Sequence, residues 1–159
     1  MPTADRTTLK AAIEGFTEKL RTNLAGDPPT AAKPFRRVAV HAGGVDAFPR
    51  PFLALHLTRT RPVGIVDNDK LVEVTMSLRM VTDVGGADPH AAMLDPIGAV
   101  EDYLDSLIDI GVLEGAEGFD DRVWTLEYPK TTAGARVATA SGTQSFVVKV
   151  ERGQNREPA

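Results

Sequence analysis

The clearest pattern of apolar and polar residues lies between residues 45 and 83. Apolar side chains fill every second position of the segment 72–80, namely Val72, Val74, Met76, Leu78 and Met80. This period of two predicts a strand with one face on a hydrophobic core. Leu53, Leu55 and Leu57 repeat the pattern, and a polar segment with turn residues at 67–69 separates the two runs. The sequence therefore predicts a long antiparallel hairpin with arms of about 8–10 residues.

Two amphipathic helices are predicted from apolar residues spaced three and four apart. The first covers 8–25, and its apolar stripe is Leu9, Ala12, Ile13, Phe16, Leu20 and Leu24. The second begins at Asp95-Pro96 and ends at Gly111, since aspartate before proline is typical of a helix start. Its stripe is Ile97, Val100, Leu104, Leu107 and Ile108. Asp88-Pro89 predicts a separate short helical turn.

Short strands complete the predicted fold. Residues 37–41, 124–128 and 146–150 alternate well enough to form strands, whereas the small residues of 129–141 predict a long flexible connection. The order helix, short strand, hairpin, helix and two strands favours an α+β fold. We expect a mainly antiparallel sheet with two helices packed on one face. Residues 1–152 would form a single domain, and 153–159 a polar C-terminal tail.

Composition narrows the class of protein. The chain has 159 residues, 42% of them apolar, which is enough for one domain with its own core. It has no cysteine, which excludes disulfides and cysteine-type zinc fingers and fits a reducing cytoplasm. The N-terminus lacks the apolar run of a signal peptide, and we expect no membrane span. A pI near 5.4 argues against sequence-specific or general nucleic-acid binding.

Charge is unevenly distributed along the chain. Residues 1–60 carry nine Lys or Arg against five Asp or Glu, 61–121 carry three against fourteen, and 122–159 carry six against three. This pattern has two interpretations: an ordinary solvated surface, or complementary patches that contact a partner or another copy. On the second interpretation the candidate contact residues are Arg36, Arg37, Arg59, Arg61, Asp102, Asp105, Asp109, Lys130 and Arg136.

Catalytic and cofactor motifs are absent from the sequence. Neither a G-x-G-x-x-G nor a G-x-x-x-x-G-K-[ST] nucleotide motif occurs, and there is no G-x-S-x-G. The three histidines, at 41, 56 and 90, are scattered without metal-ligand spacing. Asp67-Asn68-Asp69 resembles the start of a calcium loop but lacks its later ligands, so a turn is favoured. We therefore expect no catalytic residue, metal or cofactor, and a protein that is not an enzyme.

The order of elements resembles that of the tail terminator proteins of long-tailed bacteriophages with non-contractile tails. In that family an acidic-aromatic-proline lead-in precedes the hairpin, and here it is Asp46-Ala47-Phe48-Pro49 before the strand at 52–57. The family's hairpin partner, helix and two closing strands correspond to 71–81, 96–110, 124–128 and 143–151. The segments 88–95 and 130–142 are longer than in a minimal member, which leaves a related neck or tail-completion protein as an alternative.

The resemblance implies a structural function. Family members form a ring of six copies that caps the tail tube and joins it to the head–tail connector. It implies a homo-oligomer whose partners are the tail tube protein and a connector or neck protein, in a virion tail assembled in the host cytoplasm. A small dimeric α+β domain that binds a ligand or regulates another protein is the alternative from the fold alone.

Overall fold

The computed structural model describes residues 8–84, 88–109, 122–132 and 135–150. The elements follow one another in the order α1 (Leu9–Leu24), β1 (Arg37–Val40), β2 (Phe52–Val66), β3 (Asp69–Asp83), α2 (Pro89–Asp109), β4 (Thr125–Thr132) and β5 (Ala135–Val150). The α+β class and the predicted order of elements are confirmed. The predicted polar tail at 153–159 and Gly111, the predicted end of the second helix, lie outside the described residues.

Helix α1 forms as its pattern predicts. The hydroxyl of Thr8 caps it by accepting a hydrogen bond from the backbone N–H of Ala11 at 3.1 Å. Phe16, Leu20 and Leu24 are buried along one face. A fully buried leucine or phenylalanine contributes roughly 1.5–3 kcal/mol, so this stripe fixes the helix on the sheet.

The central hairpin is longer than predicted, because β2 and β3 each have 15 residues. A two-residue turn joins them, and both of its residues have positive φ, 51° at Asp67 and 68° at Asn68. Aspartate and asparagine tolerate this conformation, and such turns match the twist of paired strands. Pro62 and Gly64, which we assigned to a connecting segment, lie inside β2 next to a shift in register.

The five strands form one sheet in the order β1-β2-β3-β5-β4. Only β1 and β2 pair in parallel, over the four residues 37–40. Strand β3 is central, because it pairs with β2 on one side and β5 on the other along almost its full length. The sheet thus has β1 and the rest of β2 along one side, and β4 and the rest of β5 along the other.

The main core lies on one face of the sheet. It joins the apolar rows of β2, β3 and β5 to the buried stripes of both helices. All five alternating residues of β3 are buried in it, as predicted, and so are Leu53 and Leu55. The prediction for Leu57 is wrong, since its side chain is 41% exposed. Neither α1 nor α2 is among the elements that pack extensively on β2 in the described part of the chain.

A second, smaller core covers the opposite face at one end of the sheet. Phe52, Ala54, Val81 and Val137 form it. The segment 45–48 packs against them, and the Phe48 ring lies 5.4 Å from the Phe52 ring. The proline-rich lead-in therefore packs on one face of the sheet.

Helix α2 begins seven residues before the predicted start. Asp88 caps it by accepting a hydrogen bond from the backbone N–H of His90 at 3.0 Å, and the helix then continues through Pro96. Proline removes one backbone hydrogen bond. Met93 and Val100, one turn on either side, are almost completely buried, and this packing offsets the loss.

The described residues of the segment 129–141 form strands, so the predicted flexible connection is wrong for them. Most of the segment belongs to β4 and β5, and Val137, Ala138 and Ala140 are each at most 1% exposed. Small side chains are required here because β5 lies between two strands under the helix layer. Pro129 lies in the outer strand β4, between the register positions of Glu127 and Lys130, where an irregularity removes the need for its missing N–H.

Candidate assembly surfaces

Residues 57–66 of β2 form a continuous exposed strand, here called the exposed edge. Strand β1 pairs with β2 only as far as Leu55, so no strand among the described residues lies beside the outer side of 57–66. All ten residues are solvent-exposed. Four are large apolar side chains: Leu57, Val63, Ile65 and Val66. A row of this kind on a sheet margin is typical of a contact surface.

The backbone of the exposed edge is irregular. Register shifts occur between Leu57 and Arg59 and between Pro62 and Gly64. Bulges and proline interrupt the row of backbone donors, and proteins use them to prevent unwanted strand pairing. A partner therefore contacts this edge mainly through side chains, and a continuous backbone ladder is disfavoured.

Two predicted residues, Arg59 and Arg61, lie on the exposed edge beside a buried carboxylate. Glu73 of β3 is 9% exposed, and its Oε1 lies 3.5 Å from Arg59 and 3.2 Å from Arg61. The arginines remain 62% and 58% exposed. They neutralise Glu73 and still present N–H donors to the surroundings. Lys70 adds a third exposed cation nearby.

Arg36 and Arg37 instead hold their own subunit together. Arg36 donates from Nε to the carbonyl of Arg50 at 3.1 Å and lies 3.3 Å from Asp27. The Arg37 guanidinium lies 4.5 Å above the Phe48 ring, a cation–π contact. Both side chains therefore anchor the segment before β2, in addition to any role on the surface.

Arg50 also anchors the segment before β2, and the sequence analysis did not predict this role. Its guanidinium contacts Asp83 at 2.7 Å and Asp46 at 2.8 Å. Burial acts to lower the pKa of Arg50, but hydrogen bonds and charge attraction from the two aspartates outweigh it and raise the pKa. Asp46 is part of the lead-in motif, so the acidic position of that motif has a structural role here.

Two acidic residues of α2 contact a buried arginine, Arg122. Arg122 has only 3% of its side chain exposed and contacts Glu101 and Asp105, the latter at 2.5 Å. The indole N–H of Trp124 donates to the other Glu101 oxygen at 2.5 Å. Burial lowers the pKa of Arg122. Asp105 therefore holds Arg122 within its own subunit, and its contact with a partner stays a prediction.

Asp102 lies beside Asp105 but is exposed, and it belongs to a solvent-facing row of residues, here called the helix stripe. The stripe consists of Leu94, Asp95, Gly98 and Asp102, which the helical repeat places near one another. Leu94 is 52% exposed, Asp95 and Asp102 are exposed, and a Cβ at Gly98 would meet nothing within 4 Å. Asp109 is the last residue of α2, and its side chain lies outside the description.

The two remaining predicted residues lie on the β4–β5 hairpin. Lys130 pairs in register with Val137, and Arg136 pairs with Thr131. The Arg136 side chain is exposed, and its carbonyl accepts a hydrogen bond from the N–H of Val84 at 3.0 Å. The Lys130 side chain lies outside the description. The structure places both on an ordered hairpin, away from β1.

An open groove runs between α1 and β1. Its volume is about 700 Å³, and its lining includes Ala11, Glu14, Gly15, Glu18, Ala39 and Val40. A smaller recess of about 300 Å³ adjoins it, and Arg21 lines both. Arg21 also donates from Nε to the carbonyl of Val38 at 3.1 Å, which blocks part of the outer side of β1.

The described residues contain no group of three or more His, Asp or Glu side chains arranged to hold a metal ion. None of the helices described is long and apolar enough to cross a membrane.

A comparison with models of known protein families found no match, and a search of curated proteins found none either.

Proposed function

We propose that this protein is a structural subunit of a bacteriophage tail that assembles into a ring, as tail terminators do. The observation that supports the proposal most directly is the exposed edge. It presents four large apolar side chains on one strand, and a monomer would leave these side chains in water. In a ring these side chains are covered at every subunit interface.

The distribution of surfaces fits a ring. Closed rings need a heterologous contact, in which one patch meets a different patch on the next copy. The exposed edge lies on the β1–β2 side of the sheet, whereas α2 packs over β5 and β4 on the other side. A subunit with different surfaces on opposite sides repeats head to tail.

A ring of six copies would cap the tail tube, stop its growth and bind the head–tail connector or a neck protein in the virion. Its function would be assembly, without catalysis. The hairpin and helix order that resembles tail terminators, together with the exposed edge, supports this proposal.

The mass and shape of the purified full-length protein test it. Six copies of the 17.0 kDa chain give a particle of about 102 kDa, which negative-stain images would show as a ring with a central hole. Added to a polymerising tail tube protein from the same virion, the protein should stop tube growth at one end. Unchanged tube lengths, with the protein free in solution, would contradict the terminator function.

The groove between α1 and β1 favours one alternative, a dimeric ligand-binding domain. Its volume of about 700 Å³ lies within the usual range of small-molecule sites, about 300–1,000 Å³. A stable particle of about 34 kDa, without rings at any concentration, would favour this alternative.

A further inference from the structure

We propose that the exposed edge of one copy docks on the helix stripe of the next copy. This inference rests on the proposed ring and specifies its subunit contact. It joins two apolar and oppositely charged surfaces that the fold places on opposite sides of each subunit.

The exposed edge is apolar and basic. Ile65 is 60% exposed and Val63 is 45% exposed. Lys70 is exposed on the same face of the hairpin as Ile65. Arg59 and Arg61 extend from the opposite face, with more than half of each side chain in solvent. Glu73, which neutralises part of this charge, is buried, so the charges that a neighbour meets first are positive.

The helix stripe is apolar and acidic. Leu94 is 52% exposed, and Asp95 and Asp102 are exposed on either side of Gly98. No described atom outside the helix backbone lies within 4 Å of a Cβ built at Gly98, so the stripe has a shallow depression there. A branched side chain such as Ile65 fits a depression of this size, and the exposed Lys70, which pairs with Ile65 on the same face of the hairpin, then lies beside the flanking carboxylates.

A subunit cannot satisfy this contact by itself. Strand β3 pairs with β2 through the whole exposed edge and fixes its direction, while α2 packs over the far side of the sheet. In the described part of the chain, nothing covers the basic edge or the acidic stripe of a copy. Such a pair of surfaces links copies in one direction and closes into a ring when the rotation allows it.

A wedge in the depression tests the contact. Gly98→Trp fills it, and replacing a helical glycine does not weaken the helix. We expect the variant to melt like the wild type but to need about tenfold or more protein for half-assembly. Gly98→Ala, which adds one methyl group, should assemble normally.

Gly15→Trp is the matched control for this wedge. Gly15 is also a helical glycine with open space around its Cβ, but it lines the groove on α1. We expect it to leave assembly unchanged. Loss of assembly in Gly15→Trp, with normal assembly of Gly98→Trp, would overturn the inference and assign the contact to the groove.

Cysteine cross-linking identifies the two surfaces directly, because the natural chain has no cysteine. Ile65→Cys and Leu94→Cys variants are mixed and treated with a short bis-maleimide. We expect mainly one product, a heterodimer between the two variants. Homodimers of Ile65→Cys would show that two edges meet each other, and this result would overturn the inference.

The outcomes separate this inference from the proposed function. Rings that form normally but give no cross-link between positions 65 and 94 would overturn the docking contact and leave the ring intact. A wild-type protein that stays monomeric at all concentrations, alone and on tail tubes, would overturn both.

Discussion

Strand β2 passes through two different environments within 15 residues. Residues 52–55 are at most 3% exposed, and they lie between a core on each face of the sheet. Residues 57–66 are all exposed, although the same partner strand β3 accompanies them. Backbone pairing alone therefore does not bury a strand. Burial requires covering layers, and for β2 these end where β1 and the segment 45–48 end.

The strongest test of this comparison places the same charge in each half of β2. Leu55→Asp should abolish folding, because an unpaired carboxylate in the core costs several kcal/mol, a large part of the stability of a domain. Ile65→Asp should melt within a few degrees of the wild type, because its side chain is already in solvent. Circular dichroism melts would measure both. Equal losses would show that the exposed edge is buried in the monomer.

A second test applies the comparison to α2. Asp105→Lys should destabilise the monomer by about 3 kcal/mol, since it leaves the buried Arg122 guanidinium beside another cation. Asp102→Lys, three residues earlier on the solvent side, should change the free energy of unfolding by no more than about 0.5 kcal/mol. Urea denaturation measures both values, and similar losses at the two positions would contradict the conclusion that Asp105 alone of the two holds Arg122.

Two glycines, one in a packed region and one on the exposed edge, provide a third test. A Cβ at Gly142 of β5 would lie 2.8 Å from the Trp124 ring, so Gly142→Ala should cost about 1–3 kcal/mol. At Gly64, on the exposed edge, the nearest atom is 3.6 Å away. Gly64→Ala should be neutral or stabilise by about 0.5 kcal/mol, since alanine suits a strand better than glycine. Thermal melts of both variants give the sign, and a stabilised Gly142→Ala would refute close packing there.

The smallest expected effect concerns the cations of the exposed edge. Arg61→Met should cost the monomer about 0.5–1 kcal/mol, because Glu73 keeps only Arg59 as its partner. Lys70→Met is the control, since Lys70 forms no ion pair among the described residues. It should leave the unfolding midpoint in urea unchanged. If the two variants were equally stable, Glu73 would not depend on Arg61.

Periodicity was sufficient to predict the elements with large apolar residues. The row from Val72 to Met80 in β3 and the stripe of α1 are correct, because large side chains at a regular spacing have one way to be buried. The first half of β5 was missed because alanine, threonine and glycine give little hydrophobic signal. Their small volume is what allows Trp124 to pack directly on Gly142.

The candidate site was only partly predictable. Arg59, Arg61 and Asp102 lie on exposed surfaces, as a count of charges along the chain indicates. The same count could not show that Asp105 is held by Arg122, 17 residues away in sequence. The exposure of Leu57 was also hidden, because alternation shows which side chains share a face but not where the covering layer ends.

The position of β3 has a mechanical consequence. Hydrogen-bonded ladders hold it on both sides, from Lys70 to Val81. A force that pulls the turn at Asp67-Asn68 along the strand direction is therefore shared by many hydrogen bonds in shear. Bonds loaded in this way must yield together, whereas bonds that are peeled apart from one end yield singly. The hairpin is accordingly built to carry tension along its length, and it yields more easily to a force that lifts β2 sideways from β3.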